Sequence, residues 1–159
     1  MKSTPALAAA ALNAIKAELD GGTLFYFAGP VPAEAGDALD MGSQHTQLVE
    51  LSVDGLGGGL NFETTTSNVL AKDAGETWKG LVEFDGAQGA ETTLTPTFWR
   101  LCAAGDDGRG STTGPRLQGT IGGPSSSAQI RLGDGTTVTA NGTNERALPI
   151  FTITQNFIG

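Results

Sequence analysis

Turn-forming residues recur along most of this chain about every eight to twelve residues, and this spacing constrains the fold more than any other feature. The chain holds 24 Gly among its 159 residues, and most of them separate short segments rich in Thr, Val, Leu and Phe. Short alternating segments between closely spaced turns are typical of antiparallel sandwiches and barrels. We therefore predict a mainly β fold over 23–155, either an antiparallel β-sandwich or a flattened barrel.

The first twenty residues follow a different pattern, which predicts one N-terminal α-helix over 5–19. Thr4 suits the N-cap, and Pro5 suits the first helical position, where its missing N–H costs nothing. Asp20-Gly21-Gly22 ends the pattern with a glycine suited to a left-handed C-terminal turn. Apolar side chains recur at helical spacing on one narrow stripe, which comprises Leu7, Ala11, Leu12, Ile15 and Leu19. We expect this stripe to pack on the protein's own sheet or on a neighbouring subunit.

The length fits a single domain over 1–159, with the helix first, the β-sandwich next and a short tail over 156–159. A chain of this size can bury a core without cross-links. Cys102 is the single cysteine, so no internal disulfide is possible.

The order of apolar and polar residues predicts the individual strands. Along 98–103, Phe98, Arg100 and Cys102 should share one side of a strand, with Trp99 and Leu101 on the other. Asp134-Gly135 predicts a hairpin between 128–132 and 136–140. The segment 104–115 reads as an exposed loop, and 148–154 as the closing strand. Further strands are predicted at 23–28, 46–53, 60–62 with the Thr run that follows, 69–71, 78–84 and 117–121.

Charge and hydropathy exclude two classes of partner. The formal net charge is −8, and no segment offers the basic face that nucleic acid binding requires. No stretch approaches the roughly 20 apolar residues that cross a bilayer. The interrupted Ala/Leu run near the N-terminus is too short for a typical signal peptide. We expect a soluble protein that is used without secretion and binds neither nucleic acid nor membrane.

The residue types of catalysis are sparse. His45 and Cys102 are the single residues of their kinds. His45 is interpreted as a surface or packing residue, and Cys102, which alternates with apolar neighbours on a strand, as a small core residue. The glycines at 55–59 lack the Lys and hydroxyl residue of a phosphate-binding loop and indicate a turn. Asp106-Asp107-Gly108 and Asp134-Gly135 lack the ligand spacing of a calcium loop. We therefore predict no catalytic residue, no cofactor and no metal site.

Two interpretations remain open for the two tryptophans. Trp78 and Trp99 are interpreted as core anchors, or else as the platform of a carbohydrate-binding face.

Phe157 and Ile158 lie beyond the last predicted strand, where exposed apolar side chains favour aggregation unless they dock on a partner. With Leu7 and Ala11 of the helix, they form our predicted subunit interface.

Several short segments, taken in order, resemble those of small structural proteins from tailed-phage and prophage virions. They are Leu12-Asn13-Ala14-Ile15, Leu19-Asp20-Gly21-Gly22-Thr23-Leu24, Gly-Pro-Val-Pro-Ala at 29–33, Thr97-Phe98-Trp99-Arg100-Leu101, Gln118-Gly119-Thr120-Ile121-Gly122 and Phe151-Thr152-Ile153-Thr154. This chain carries longer inserts at 69–89 and 104–116 than the compact members of that group.

The resemblance implies a non-enzymatic part of a virion that is assembled in the bacterial host cytoplasm. The leading hypothesis is a capsid decoration protein that contacts the major capsid protein or other virion proteins. We expect it to be a homo-oligomer, specifically a trimer. The alternatives are a minor tail or tail-fibre component and, from another class, a carbohydrate-binding surface module.

Overall fold

The computed structural model describes residues 4–66, 69–85, 93–133, 138–139, 145–148 and 151–154. Its architecture is mainly β with one helix, which confirms the predicted fold class. The elements are α1 (Pro5–Leu19), β1 (Thr23–Ala28), β2 (Thr46–Val53), β3 (Phe62–Thr66), β4 (Val69–Lys72), β5 (Trp78–Asp85), β6 (Thr93–Leu94), β7 (Phe98–Cys102), β8 (Arg116–Gly122), β9 (Ile130–Arg131), β10 (Val138–Thr139), β11 (Glu145–Leu148) and β12 (Thr152–Thr154).

A seven-stranded sheet with the order β11-β5-β2-β1-β7-β8-β9 curls into a half-barrel. All its described pairings are antiparallel except β8 with β9, which are parallel. A three-stranded sheet, β12-β4-β3, and a two-stranded sheet, β10-β6, complete the described topology.

The helix begins as the sequence predicts and packs on its own chain. The Thr4 hydroxyl accepts a hydrogen bond from the Leu7 amide, and Pro5 occupies the first turn. Leu12 and Leu19 are buried in the same cluster as residues of β3 and β4. Of the two alternatives for the helix partner, the structure selects the protein's own sheet. At the first turn of the predicted stripe, Ala8 is buried in the chain's own core, whereas Leu7 is 59% exposed.

The large sheet is covered on both sides, and we name its two faces by what covers them. The helix-side face carries Leu24, Tyr26, Trp99 and Leu101, which pack with α1 and the three-stranded sheet. The loop-side face lies under the loops 29–45 and 103–115 and carries Phe25, Phe27, Phe98, Arg100 and Cys102. The alternation predicted along 98–102 is confirmed. Because both faces are covered, every residue of β7 is buried.

Two predicted pairings near the C-terminus were wrong. The strand at 130–131 pairs in parallel with β8, and the strand at 138–139 pairs with β6, so these described residues do not pair with each other. The predicted turn Asp134-Gly135 lies outside the described residues. The segment 148–154 is not one closing strand either. Its ends belong to β11 in the large sheet and β12 in the three-stranded sheet. Local turn chemistry predicted these pairings, but contacts with distant strands decided them.

Candidate functional site

The residues of the predicted interface have different environments. Leu7 is exposed near the start of α1, and Ala11 is partly buried one turn later. Phe157 and Ile158 lie outside the described residues. The helix face that holds Leu12 is already occupied by the protein's own core. Among the described members of the set, Leu7 is therefore the one whose large apolar side chain is available to a partner.

Cys102 is a core residue of the loop-side face, as predicted, and His45, for which a surface and a packing role were both open, packs on the same face. His45 Nδ1 accepts a hydrogen bond from the Asp40 amide, and its Nε2 lies 2.9 Å from the Pro30 carbonyl oxygen. The ring also packs edge-on against Phe98. Cys102 is fully buried, and burial raises the pKa of its thiol to about 12. A thiol with that pKa is a poor nucleophile at neutral pH.

The loop 103–115 is tied to the sheet more closely than its sequence predicts. Arg116 forms two hydrogen bonds with the carboxylate of Asp106, and its side chain is only 3% exposed. This pairing lowers the pKa of Asp106, with burial opposing it, and raises that of Arg116. Most of the segment 104–115 is an exposed loop, as predicted, but Gly108 is buried and this part of the loop folds back over the sheet.

Arg100 holds both covering loops against the loop-side face. Its guanidinium donates to Gln118 Oε1, to the Asp37 carbonyl and to the Gly108 carbonyl at 2.9, 2.9 and 2.7 Å. The side chain is 0% exposed, and burial lowers its pKa. A buried charge is costly unless its donors are satisfied, and here backbone carbonyls satisfy them. We therefore assign Arg100 a structural role.

The strand pattern alone could not reveal this role. An arginine on a strand suggests an exposed or edge position, since lone charges are rarely fully buried. The carbonyl acceptors come from loops 63 and 8 residues away in sequence. The positions of those loops are a property of the tertiary fold.

The two tryptophans differ in their polar atoms. Trp78 is fully buried, and its indole N–H donates to a carboxylate oxygen of Glu76 at 2.7 Å. This confirms Trp78 as a core anchor and leaves no ring face for a sugar.

Trp99 is 6% exposed, but its Nε1 is the one buried side-chain polar atom without a hydrogen-bond partner in the described part of the chain. Such a group costs about 1–3 kcal/mol until an acceptor meets it.

Trp99 lies at a cavity of about 500 Å³ near β8, β9 and β12. Its ring packs at a right angle against Phe151, with centroids 5.4 Å apart. The cavity is lined by Trp99, Leu117, Gln118, Gln129, Ile130, Arg131, Leu148, Phe151, Thr152 and Ile153. The sequence marks Trp99 as a core or binding residue, but it does not predict the cavity, because the cavity walls come from segments that meet only in the folded chain.

The described residues include no cluster of three or more His, Cys, Asp or Glu side chains placed to hold a metal ion. Within the same residues, no helix is both long enough and apolar enough to span a bilayer.

Comparison with known proteins adds no relationship to these observations. No protein-family model matches the chain, and neither a curated protein nor a solved structure shows significant similarity to it.

Proposed function

We propose that this protein is a non-enzymatic structural component of a phage particle, and that it acts as a capsid decoration protein. In this role an oligomer, with a trimer as the expected form, sits on the shell and bridges neighbouring capsid subunits. The proposal starts from the ordered segments that resemble virion proteins.

The observation that carries the proposal is the exposure of Leu7 on a helix whose opposite face is packed in cis. Because Leu12 and Leu19 anchor α1 on the protein's own core, the helix presents Leu7 from a fixed position. Because the backbone of the helix is already ordered, only side-chain freedom is lost when a partner covers Leu7.

Two further segments support attachment at several points. Leu56 is 86% exposed at the tip of the turn 54–58, and Val31 is 45% exposed in the loop after β1. The turn is held by a hydrogen bond from the Val53 amide to the Gly58 carbonyl and by one from the Gly57 amide to the Ser52 hydroxyl. Small contacts of this kind are weak alone, but linked copies on a symmetric shell bind with high avidity.

The test is made on virions of the phage or prophage that encodes the chain. Particles with the gene deleted should lose their genomes at a lower temperature than wild-type particles, and added purified protein should restore the resistance. Antibody labelling should decorate heads. Label confined to tails would assign the chain to a tail component instead, and particles without label and with unchanged heat resistance would refute a structural role.

A variant set separates attachment from folding. Leu7→Ala and Leu56→Ala should reduce the restored heat resistance while the purified variants keep wild-type stability. Thr112→Ala provides a control elsewhere in the chain. Full restoration by the Leu7→Ala, Leu56→Ala double variant would contradict the proposed contacts.

A further inference from the structure

A cavity of about 280 Å³ lies between the second half of α1 and the start of β8, and we call it the α1–β8 groove. The described residues that line it are mostly apolar, namely Ala14, Ile15, Glu18, Leu19, Pro115, Arg116 and Leu117. The charge of Arg116 is already paired with Asp106. An apolar groove at the surface of a protein favours contact with an apolar side chain of a partner.

Leu7 lies on the same side of α1 as this groove. Helix positions that are three, four or seven residues apart share one side, so Leu7, Ala11, Ala14 and Glu18 follow one line along the helix. Leu7, Ala14 and Glu18 are all exposed. One side of α1 therefore carries a projecting leucine near its start and an apolar groove near its end.

This arrangement is self-complementary. If a second copy of α1 lies antiparallel with Ala11 opposite Ala11, then Leu7 of each copy lies opposite Ile15 of the other, at the groove. Leu7 and Ile15 are each about 6 Å along the helix from Ala11, because the rise is about 1.5 Å per residue. A small side chain at the crossing point lets the two helices approach closely. Contacts of one surface with its own copy about a two-fold axis are the commonest in protein oligomers.

The charge at the end of α1 favours the antiparallel orientation. In this register, Glu18 of one copy lies opposite the first turn of α1 in the other, beside Thr4 and Pro5. The N-terminal end of a helix carries a partial positive charge, which stabilises a nearby carboxylate. That first turn has no acidic residue of its own. A parallel pair along the same line would instead place the two Glu18 carboxylates together, which is unfavourable.

We propose that two copies of this protein pair about a two-fold axis near Ala11, with Leu7 of each copy inserted into the α1–β8 groove of the other. This inference names the partner of Leu7 in the proposed oligomer, so it rests on the proposed function, and it specifies a two-fold pair in place of the trimer. Val31 and Leu56 remain exposed for contacts with the shell.

Sedimentation equilibrium of the purified full-length protein over a range of micromolar concentrations tests the pairing. The wild type should associate reversibly to twice the subunit mass. Leu7→Glu should weaken this association at least about a hundredfold, because a carboxylate must lose its water in each of two apolar grooves. Leu56→Glu places the same charge on an exposed leucine of the turn 54–58 and should leave the association unchanged. A monomeric or trimeric wild type, or equal effects of the two variants, would overturn the proposal.

Leu7→Glu should preserve the fold of the subunit. Leu7 is the third helical residue after the Thr4 cap, where a glutamate can accept a hydrogen bond from the cap's own amide. Unfolding at a concentration too low for pairing should therefore show a stability at least equal to that of the wild type. Ala14→Phe tests the groove side, since the added ring fills the space that Leu7 of the other copy needs. An Ala14→Phe variant that associates as tightly as the wild type would contradict the proposal.

Cysteine cross-linking tests the register. In a Cys102→Ala background, Ala11→Cys should form a disulfide between copies under mild oxidation, because the two-fold axis brings residue 11 of both copies together. Ala17→Cys, at an exposed position on another side of α1, is the control and should stay largely reduced. Cross-linking that is no faster at residue 11 than at residue 17 would refute the two-fold arrangement.

The mass of the purified protein and the labelling of particles are separate measurements. A wild type that is monomeric in solution but decorates heads would refute the pair alone. A two-fold pair in solution, with particles that carry no label and keep their heat resistance, would support the pair and refute the particle role alone.

Discussion

Gly119 lies directly against the indole of Trp99. A Cβ placed on Gly119 would stand 2.6 Å from Cζ2 and 2.7 Å from Nε1 of that ring. The two residues are paired across β7 and β8 on the helix-side face. Glycine at this strand position therefore allows the ring to lie close to the neighbouring backbone, where it borders the cavity.

Gly119→Ala should destabilise the protein by about 1–3 kcal/mol, because the new methyl group must displace a packed indole ring. Urea unfolding followed by tryptophan fluorescence measures the loss. Gly110→Ala is the matched control, since a Cβ there meets no atom within 4 Å. Equal stability of the two variants would show that the ring has room to move.

Arg100→Met should lower the free energy of unfolding by about 2–4 kcal/mol, because the carbonyls of Asp37 and Gly108 lose their donor. Amide hydrogen exchange should accelerate first in the loops 29–45 and 103–115. Arg131→Met removes an exposed guanidinium and should change stability by less than about 0.5 kcal/mol. Unchanged exchange in both loops would show that Arg100 does not hold them.

The pair Asp106–Arg116 should make stability depend on pH in the acid range. Its hydrogen bonds lower the pKa of Asp106 in the folded state, so the folded chain binds this proton less readily than the unfolded chain. The stabilisation is complete above the ordinary carboxyl pKa of about 4 and is lost as the pH falls from there through the lowered pKa. Asp106→Asn should thus be less stable than wild type at pH near 7, and the difference should shrink below a pH of about 4.

Asp106→Asn in an Arg116→Gln background is the control for this dependence of stability on pH. Without the arginine, Asp106→Asn should lose most of its effect at neutral pH. Chemical unfolding at a series of pH values measures all four proteins. An undiminished effect would assign the stabilisation to the other partner of Asp106, the Gly108 amide.

Cys102 should react very slowly with thiol reagents in the native state. Its thiol is buried, and its pKa of about 12 leaves little thiolate at neutral pH. Modification by a chromogenic disulfide should be slow in buffer and rapid in denaturant. Fast native modification would mean that the loop 103–115 opens readily.

Leu12→Ala and Leu7→Ala should differ in their effect on the free energy of unfolding, because Leu12 lies on the buried side of the helix and Leu7 on its exposed side. Leu12 is fully buried, so truncation should cost about 2–5 kcal/mol. Leu7 is 59% exposed, and its truncation should change the stability of the isolated subunit by less than about 0.5 kcal/mol. A large loss for Leu7→Ala would indicate that this side chain is buried by association in solution.

Local patterns were sufficient to predict several parts of the fold. The bounds of α1, β1 and β2 agree with the predicted segments, because caps, helical spacing and alternation act within a few residues. The turn 54–59 and the two faces of β7 were also predictable for this reason. The core role of Cys102 was predictable from the apolar residues that alternate with it along the strand. The sequence left His45 as a surface or packing residue and Trp78 as a core anchor or part of a carbohydrate-binding face.

Contacts between distant residues decided the rest. The strands β10, β11 and β12 pair with β6, β5 and β4, which lie far earlier in the chain, and no short segment encodes those partners. The burial of Arg100 needs carbonyls from two separate loops, and the cavity at Trp99 needs walls from β8, β9, β11 and β12. Hydrogen-bond satisfaction and close packing are conditions on the whole fold, so only the tertiary structure placed these features.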